Sequence, residues 1–166
     1  MGQSNKILVL GIGNYLMGDE GIGVHLAERL QQELMPGVDV VDGGTGGFHL
    51  LGLFEGYDTI ILADATLDDN PPGTIRCIHP RFASDFPKAM STHDIGLKDM
   101  VGALQLLNKM PRIFLYVVSI ESLQQQGVTL TAPLQHALPL LKDMVLDLIS
   151  LLQHTPEHAP VFEAAL

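Results

Sequence analysis

Residues 6–30 read KILVLGIGNYLMGDEGIGVHLAERL, and this stretch decides the fold. It starts with four consecutive apolar residues, 7–10, which show no alternation and therefore predict a strand that is covered on both faces. After a glycine-rich turn, apolar residues recur at helical spacing: Ile22, Leu26, Ala27, Leu30 and Leu34. The stretch therefore predicts a buried strand, a turn and an amphipathic helix that packs back on the strand.

The turn at Gly11-Ile12-Gly13 matches the opening of the fingerprint of dinucleotide-binding domains. The third glycine of that fingerprint would stand at position 16, where the sequence has Leu16. Asp19 and Glu20 also occupy the place where a helix N-terminus would receive the pyrophosphate, and two carboxylates repel phosphates. The acidic pair would suit a cation or the polar end of a substrate, or it would only complement the dipole of the helix. This stretch leaves both interpretations open.

The composition limits the classes of partner. A formal net charge of -10, with only nine Lys plus Arg, argues against nucleic acid. No apolar run approaches membrane-spanning length, and residues 1–6 lack the apolar segment of a signal peptide, so no membrane partner is expected. The single cysteine, Cys77, permits no internal disulfide and indicates a cytoplasmic protein. Its place in an apolar run predicts a small strand residue rather than a nucleophile.

Strand and helix signals alternate along the rest of the chain. Further strands are predicted at 38–41, 59–63, 73–79 and 113–120, and further helices over about 48–54, 91–108 and 131–153, with a capping box formed by Ser91 and Asp94. This order predicts a single-domain α/β fold, a three-layer sandwich in which a mostly parallel twisted sheet of about five strands carries helices on both faces. The domain is expected to span residues 1–153, with 154–166 as a flexible tail.

Acidic residues lie where three of the predicted strands end. Glu20 comes after the first strand, Asp42 ends the second and Asp64 follows the third, while His93 lies at the start of a later helix. Because ligands bind in the crevice beyond the carboxyl ends of parallel strands, we expect these side chains to meet there. Glu20, Asp64 and His93 form a mixed oxygen and nitrogen set suited to Ni, Zn or a similar divalent ion. Asp42 is either a ribose-binding acid or the cap of the glycine turn that follows it.

The sequence lacks several other catalytic signatures. It has no H-E-x-x-H, no G-x-S-x-G and no P-loop, which removes support for the common zinc protease, serine hydrolase and nucleotide-binding classes. The remaining histidines, His25 and His136 among them, are expected to be incidental. Two functions of different class remain: a metal-dependent enzyme, and a non-enzymatic Rossmann-like domain that binds a cofactor or a metal.

Five motifs make the chain resemble the endopeptidases that mature nickel-iron hydrogenases. They stand at residues 11–14 (GIGN), 18–24 (GDEGIGV), 42–45 (DGGT), 63–65 (ADA) and 91–97 (STHDIGL). Each motif is weak alone, but together they are specific, and the resemblance covers nearly the whole chain. It implies a cytoplasmic peptidase that works as a monomer and removes the C-terminal extension from the precursor of a hydrogenase large subunit.

The resemblance also implies roles for the residues at the strand ends. The family's nickel-sensing ligands match Glu20, Asp64 and His93, with the nickel carried by the substrate, and Zn or Cd is expected to substitute in the isolated protein. The nickel would then polarise the scissile carbonyl and activate water. Alternatively, nickel serves only in recognition, and a carboxylate, Asp42 or Asp19, is the general base. We expect His93→Ala to abolish processing without unfolding the protein.

Overall fold

The computed structural model describes residues 5–45, 50–85, 95–107, 110–121 and 126–154. Five strands lie within these ranges: β1 (Ile7–Gly11), β2 (Val38–Asp42), β3 (Thr59–Thr66), β4 (Ile75–Ile78) and β5 (Arg112–Ser119). Four α-helices accompany them: α1 (Ile22–Leu30), α2 (Leu51–Phe54), α3 (Ile95–Leu106) and α4 (Ala132–His154). Short 3-10 helices stand at Gly18–Gly21 and at Ala83–Asp85.

The strands form one sheet in the order β2-β1-β3-β5-β4. All neighbouring pairs are parallel except β4 with β5, which is antiparallel. The prediction of a mostly parallel five-stranded sheet is therefore confirmed. Because β1 lies between β2 and β3, the chain leaves β1 toward one neighbour and returns to the other. This arrangement places a topological switch point, where α/β folds bind ligands, at the carboxyl ends of β1 and β3.

The apolar core has two parts, one on each face of the sheet. Alternate residues of β1, β3 and β5 pack with α1 and α4 on one face, and the residues between them pack with α2 and α3 on the other. Every residue of β1 and of β3 is buried, as expected of central strands between two helical layers. The three-layer sandwich is thus confirmed. The loops that follow the strands lie at the carboxyl edge of the sheet.

The structure corrects three boundaries. β3 runs to Thr66, so the prediction that Asp64 follows the strand is wrong: pairing with β5 along its full length keeps Asp64 inside the sheet, opposite Val117. α1 ends at Leu30, and Leu34 lies beyond it with 99% of its surface exposed. The helix predicted over 48–54 is a single turn, α2, in which only Phe54 is fully buried.

None of the described helices is long and apolar enough to cross a membrane.

Candidate functional site

The glycines after β1 allow the backbones of a helix and two strands to approach closely. A Cβ atom on Gly23, in the first turn of α1, would lie 2.2 Å from the carbonyl oxygen of Ala63 and 2.5 Å from that of Ile12. A Cβ atom on Gly11 would lie 2.1 Å from the carbonyl oxygen of Gly23. The glycine pattern that resembles a dinucleotide fingerprint therefore serves helix-on-sheet packing, and it presses the start of α1 against β1 and β3.

Glu20 lies in the 3-10 helix Gly18–Gly21, between β1 and α1. Gly13 fixes its backbone from one side, because Gly13 has φ of +143° and a Cβ atom there would lie 2.1 Å from the carbonyl oxygen of Glu20. The Glu20 side chain is only 1% exposed, and among the described residues nothing donates a hydrogen bond to its Oε1. A buried carboxylate oxygen without a donor is costly to the fold. This oxygen is therefore the first candidate for a ligand-binding atom.

Asp64 lies on the strand that packs against the turn of Glu20. It is fully buried in β3, and the 3-10 helix Gly18–Gly21 contacts this strand. The Asp64 Oδ1 atom accepts a hydrogen bond of 2.7 Å from the amide of Ala65. Strand alternation directs Asp64 to the same face as Leu62, which is the face covered by α2 and α3. The structure thus brings two of the predicted ligands, Glu20 and Asp64, to neighbouring elements at the switch point.

His93, the third predicted ligand, lies outside the described residues, as do Ser91 and Asp94 of the predicted capping box. Within the described part of the chain, no group of three His, Cys, Asp or Glu side chains is arranged to hold a metal ion. The structure shows that Glu20 and Asp64 are buried, but their role as oxygen ligands stays a prediction. The nitrogen ligand stays a prediction.

Asp42 caps a turn, as one of its two interpretations predicted. It is the last residue of β2, it is exposed, and its Oδ1 accepts a hydrogen bond of 2.8 Å from the amide of Gly44. Gly44 has φ of +56°, a left-handed conformation that favours glycine in such turns. Asp42 pairs in register with Gly11, so it lies at the same edge of the sheet as the loop that carries Glu20.

Asp19 has a partner that sequence reasoning missed. Both of its carboxylate oxygens accept hydrogen bonds from Thr131, one from the backbone amide at 2.8 Å and one from the hydroxyl at 2.7 Å. Asp19 is 1% exposed. Because the two residues are 112 positions apart, no local pattern could indicate this contact.

The loop after β3 is also held in place by polar contacts. The guanidinium of Arg76, on β4, forms an ion pair of 2.8 Å with Asp68. Burial acts to raise the pKa of Asp68, but hydrogen bonds from Ser119 and Asn70 and the positive charge of Arg76 outweigh it and lower that pKa. The Asp68 carboxylate thus keeps its charge and ties the loop that follows Asp64 to the edge strand.

The other reactive side chains have structural roles. Cys77 is buried in β4, and burial raises the pKa of its thiol to about 11 despite a hydrogen bond with Tyr116, so it is no nucleophile at neutral pH. His25 is half-buried against the ring of Tyr15, with 4.8 Å between ring centroids. His79 packs on Phe114, with centroids 4.6 Å apart.

Sequence comparison connects the chain to known proteins. A family model described as hydrogenase maturation protease matches residues 24–148. The chain is 39% identical over 132 residues to the hydrogenase 2 maturation protease of Escherichia coli strain K12, a match that covers 76% of this chain and 80% of that protein. It is 35% identical over 141 residues to the hydrogenase expression/formation protein HupD of Bradyrhizobium diazoefficiens, covering 80% of this chain and 72% of that one.

Solved structures show the same fold. The hydrogenase maturating endopeptidase HybD of E. coli superimposes with a TM-score of 0.79 at 35% identity, over 90% of this chain and 94% of that one. The [NiFe] hydrogenase maturation protease HybD of Thermococcus kodakarensis superimposes with a TM-score of 0.73 over 87% of this chain and 99% of that one. At 23% identity, the second likeness concerns the fold alone.

Proposed function

This chain belongs to the hydrogenase maturation protease family, and we propose that it removes the C-terminal extension from the nickel-loaded precursor of a nickel-iron hydrogenase large subunit. The family consists of peptidases, which confirms the enzyme interpretation over the non-enzymatic domain. The precursor is the substrate, and the nickel belongs to it. The peptidase works as a monomer in the cytoplasm.

The observation that carries the proposal is the buried Oε1 atom of Glu20, which has no donor among the described residues. A carboxylate that is sealed from water and left without a donor lowers the stability of the empty protein, and a cation relieves this cost. Glu20 and Asp64 supply oxygen ligands to the nickel of the substrate, and His93 supplies the nitrogen ligand. This mixed set matches the preference of nickel for imidazole together with oxygen ligands.

Coordination by these residues would place the scissile bond in the crevice beyond the carboxyl ends of β1 and β3. In the hydrolysis, water attacks the carbonyl carbon, its proton passes to a base and then to the departing nitrogen, and the peptide bond breaks to give a carboxylic acid and an amine. The nickel of the substrate, held by Glu20, Asp64 and His93, would supply polarisation of the carbonyl in this step. Where a carboxylate is the base, we assign that role to Asp42 rather than Asp19. Asp42 is exposed, whereas both oxygens of Asp19 are bonded to Thr131.

The test is a processing assay on candidate large-subunit precursors, each prepared with and without nickel. Loss of the C-terminal extension is followed by intact mass. We expect trimming of one nickel-loaded precursor only, and a loss of about 100-fold or more in Glu20→Gln, Asp64→Asn and His93→Ala, because a misplaced scissile bond alone costs about that factor.

Matched variants control for indirect effects. His25→Ala and His136→Ala remove imidazoles that the assignment does not use, so they should process at close to the wild-type rate. Trimming that is equally fast without nickel would contradict the recognition role of the metal. Full activity of folded His93→Ala would show that His93 is not a residue of the site.

A further inference from the structure

We propose that Asp19 is a positioning residue, which holds the turn of Glu20 in place by clamping it to the start of α4. This inference rests on the proposed function, because it assigns Glu20 to the substrate's nickel. Asp19 itself touches no reacting group. The clamp consists of Asp19 and Thr131, and it joins the loop after β1 to the segment that leads into the last helix.

The contacts of Thr131 show that it is the cap of α4. Its carbonyl oxygen accepts hydrogen bonds from the amides of Leu134 at 3.1 Å and Gln135 at 2.9 Å, in the first turn of the helix. Its own amide and hydroxyl both donate to Asp19. In a capping box a residue of the same helix accepts from the cap amide, whereas here the acceptor comes from a distant loop. Asp19 therefore fixes both the position and the rotamer of the capping residue.

The buried charge of Asp19 is accounted for by this placement. The carboxylate lies at the N-terminus of a helix of 23 residues, where the helix dipole favours an anion. Two hydrogen bonds to an ionised group add to this effect, each stronger than a neutral bond. Asp19 is thus a well-satisfied buried acid, whereas Oε1 of the adjacent Glu20 has no donor among the described residues.

A second pair of contacts extends the clamp along the loop. The amide of Gly18 donates a hydrogen bond to the carbonyl oxygen of Gly127 at 2.7 Å. The amide of Gly127 donates one to the carbonyl oxygen of Leu16, also at 2.7 Å. Residues 16–19 are therefore bonded alongside 127–131 at both ends. Gly13 contacts the backbone of Glu20 from the other side. Glu20 is held between Gly13 and the segment that leads into α4, and removing the Asp19 contact loosens the second of these attachments at its end nearest Glu20.

Four variants of the full chain test the clamp. Thr131→Val removes the hydroxyl, Asp19→Asn removes one of the two acceptor oxygens, and Thr131→Ser keeps both bonds as the conservative rescue. Tyr57→Phe is the matched control, because it deletes a hydrogen bond of 2.7 Å, to Asp39, near the amino end of the sheet. For each variant we measure kcat and KM on the nickel-loaded precursor, the melting temperature, and amide hydrogen exchange of a peptide that spans residues 12–21.

We expect kcat to fall about 10- to 100-fold in Thr131→Val and Asp19→Asn, the range seen when the support of a metal ligand is removed. KM should rise in both variants, because a displaced Glu20 binds the nickel of the substrate less well. Amide exchange in residues 12–21 should become faster in both variants. Thr131→Ser and Tyr57→Phe should keep wild-type kcat and wild-type exchange in that peptide.

Two results overturn the clamp. One is wild-type kcat and wild-type exchange in folded Thr131→Val and Asp19→Asn. The other is an equal fall of kcat in Tyr57→Phe at a similar melting temperature, which would mean that any loss of stability has this effect. If the wild-type chain trims no precursor, the proposed function fails, and the exchange measurement alone then decides on the clamp.

Discussion

The amino edge and the carboxyl edge of the sheet differ in their acidic residues, although one acid of the carboxyl edge, Asp42, is exposed and hydrogen-bonded like those of the amino edge. At the amino edge, Asp58 and Asp39 are exposed, and each accepts a hydrogen bond: Asp58 from the amide of Lys6 at 2.9 Å and Asp39 from the hydroxyl of Tyr57 at 2.7 Å. At the carboxyl edge, three acids are at most 1% exposed: Asp19, Glu20 and Asp64. One oxygen of Glu20 has no donor among the described residues.

Among the buried acids, Glu20 differs from Asp19, because both oxygens of Asp19 accept hydrogen bonds whereas Oε1 of Glu20 has no donor among the described residues. An exposed acid with a donor costs little, because water and the donor both stabilise its charge. A buried acid without a donor destabilises the folded protein, and such residues are typical of functional sites. We therefore propose that the carboxyl edge is the functional edge of the sheet and the amino edge a structural one, and single substitutions at each edge separate the two roles.

The largest effect on stability is expected from Gly23→Ala at the functional edge. The new Cβ atom would meet two backbone carbonyl oxygens at 2.2 and 2.5 Å, and neither can move without shifting β3 or the turn. We expect the free energy of unfolding to fall by about 3 kcal/mol or more. Gly52→Ala in α2 is the control, because a Cβ atom there meets nothing within 4 Å, and it should be neutral or stabilise by about 0.5 kcal/mol. Urea unfolding checks both, and equal values would contradict the close approach.

A smaller effect is expected from Tyr57→Phe at the structural edge. The variant loses the hydrogen bond to Asp39. This bond is also the largest cause of the raised pKa of Tyr57. We expect the free energy of unfolding to fall by about 1 kcal/mol, the net contribution of one such hydrogen bond, with no change in precursor processing. A loss of processing at unchanged stability would show that the functional site extends to this edge.

The smallest effect is a pH dependence at His79. Burial lowers the pKa of His79 below 6.5, and the charges of Arg81 and Arg112 lower it further. The unfolded chain therefore binds a proton at higher pH than the folded chain does, and stability falls as the pH drops through 6.5. In His79→Gln, the loss of stability between pH 7.5 and 5.5 should be smaller than in the wild type. If urea unfolding shows the same loss of stability between pH 7.5 and 5.5 in His79→Gln as in the wild type, this contribution is refuted.

Periodicity predicted the order of the strands and helices, because apolar runs such as 7–10 report burial directly. Glu20 and Asp64 were predicted as crevice residues from their places after apolar runs, and both are buried, while their role in the site stays a prediction. The end of β3 was placed too early, because an acid looks like a stop signal while pairing with β5 continues to Thr66. The role of Asp19 was beyond reach, because Thr131 is distant in sequence and becomes its partner only in the fold.

We propose that the burial of Glu20 serves ligand binding and lowers the stability of the protein when no ligand is bound. The most direct test is the melting temperature of wild type and Glu20→Gln, each without metal and with Zn(II) or Ni(II) added. We expect the metal-free variant to melt at or above the wild-type temperature, and the metal to stabilise the wild type but not the variant. A metal-free variant that melts clearly lower, together with equal stabilisation of both proteins by metal, would show that Glu20 serves the fold and would contradict the account.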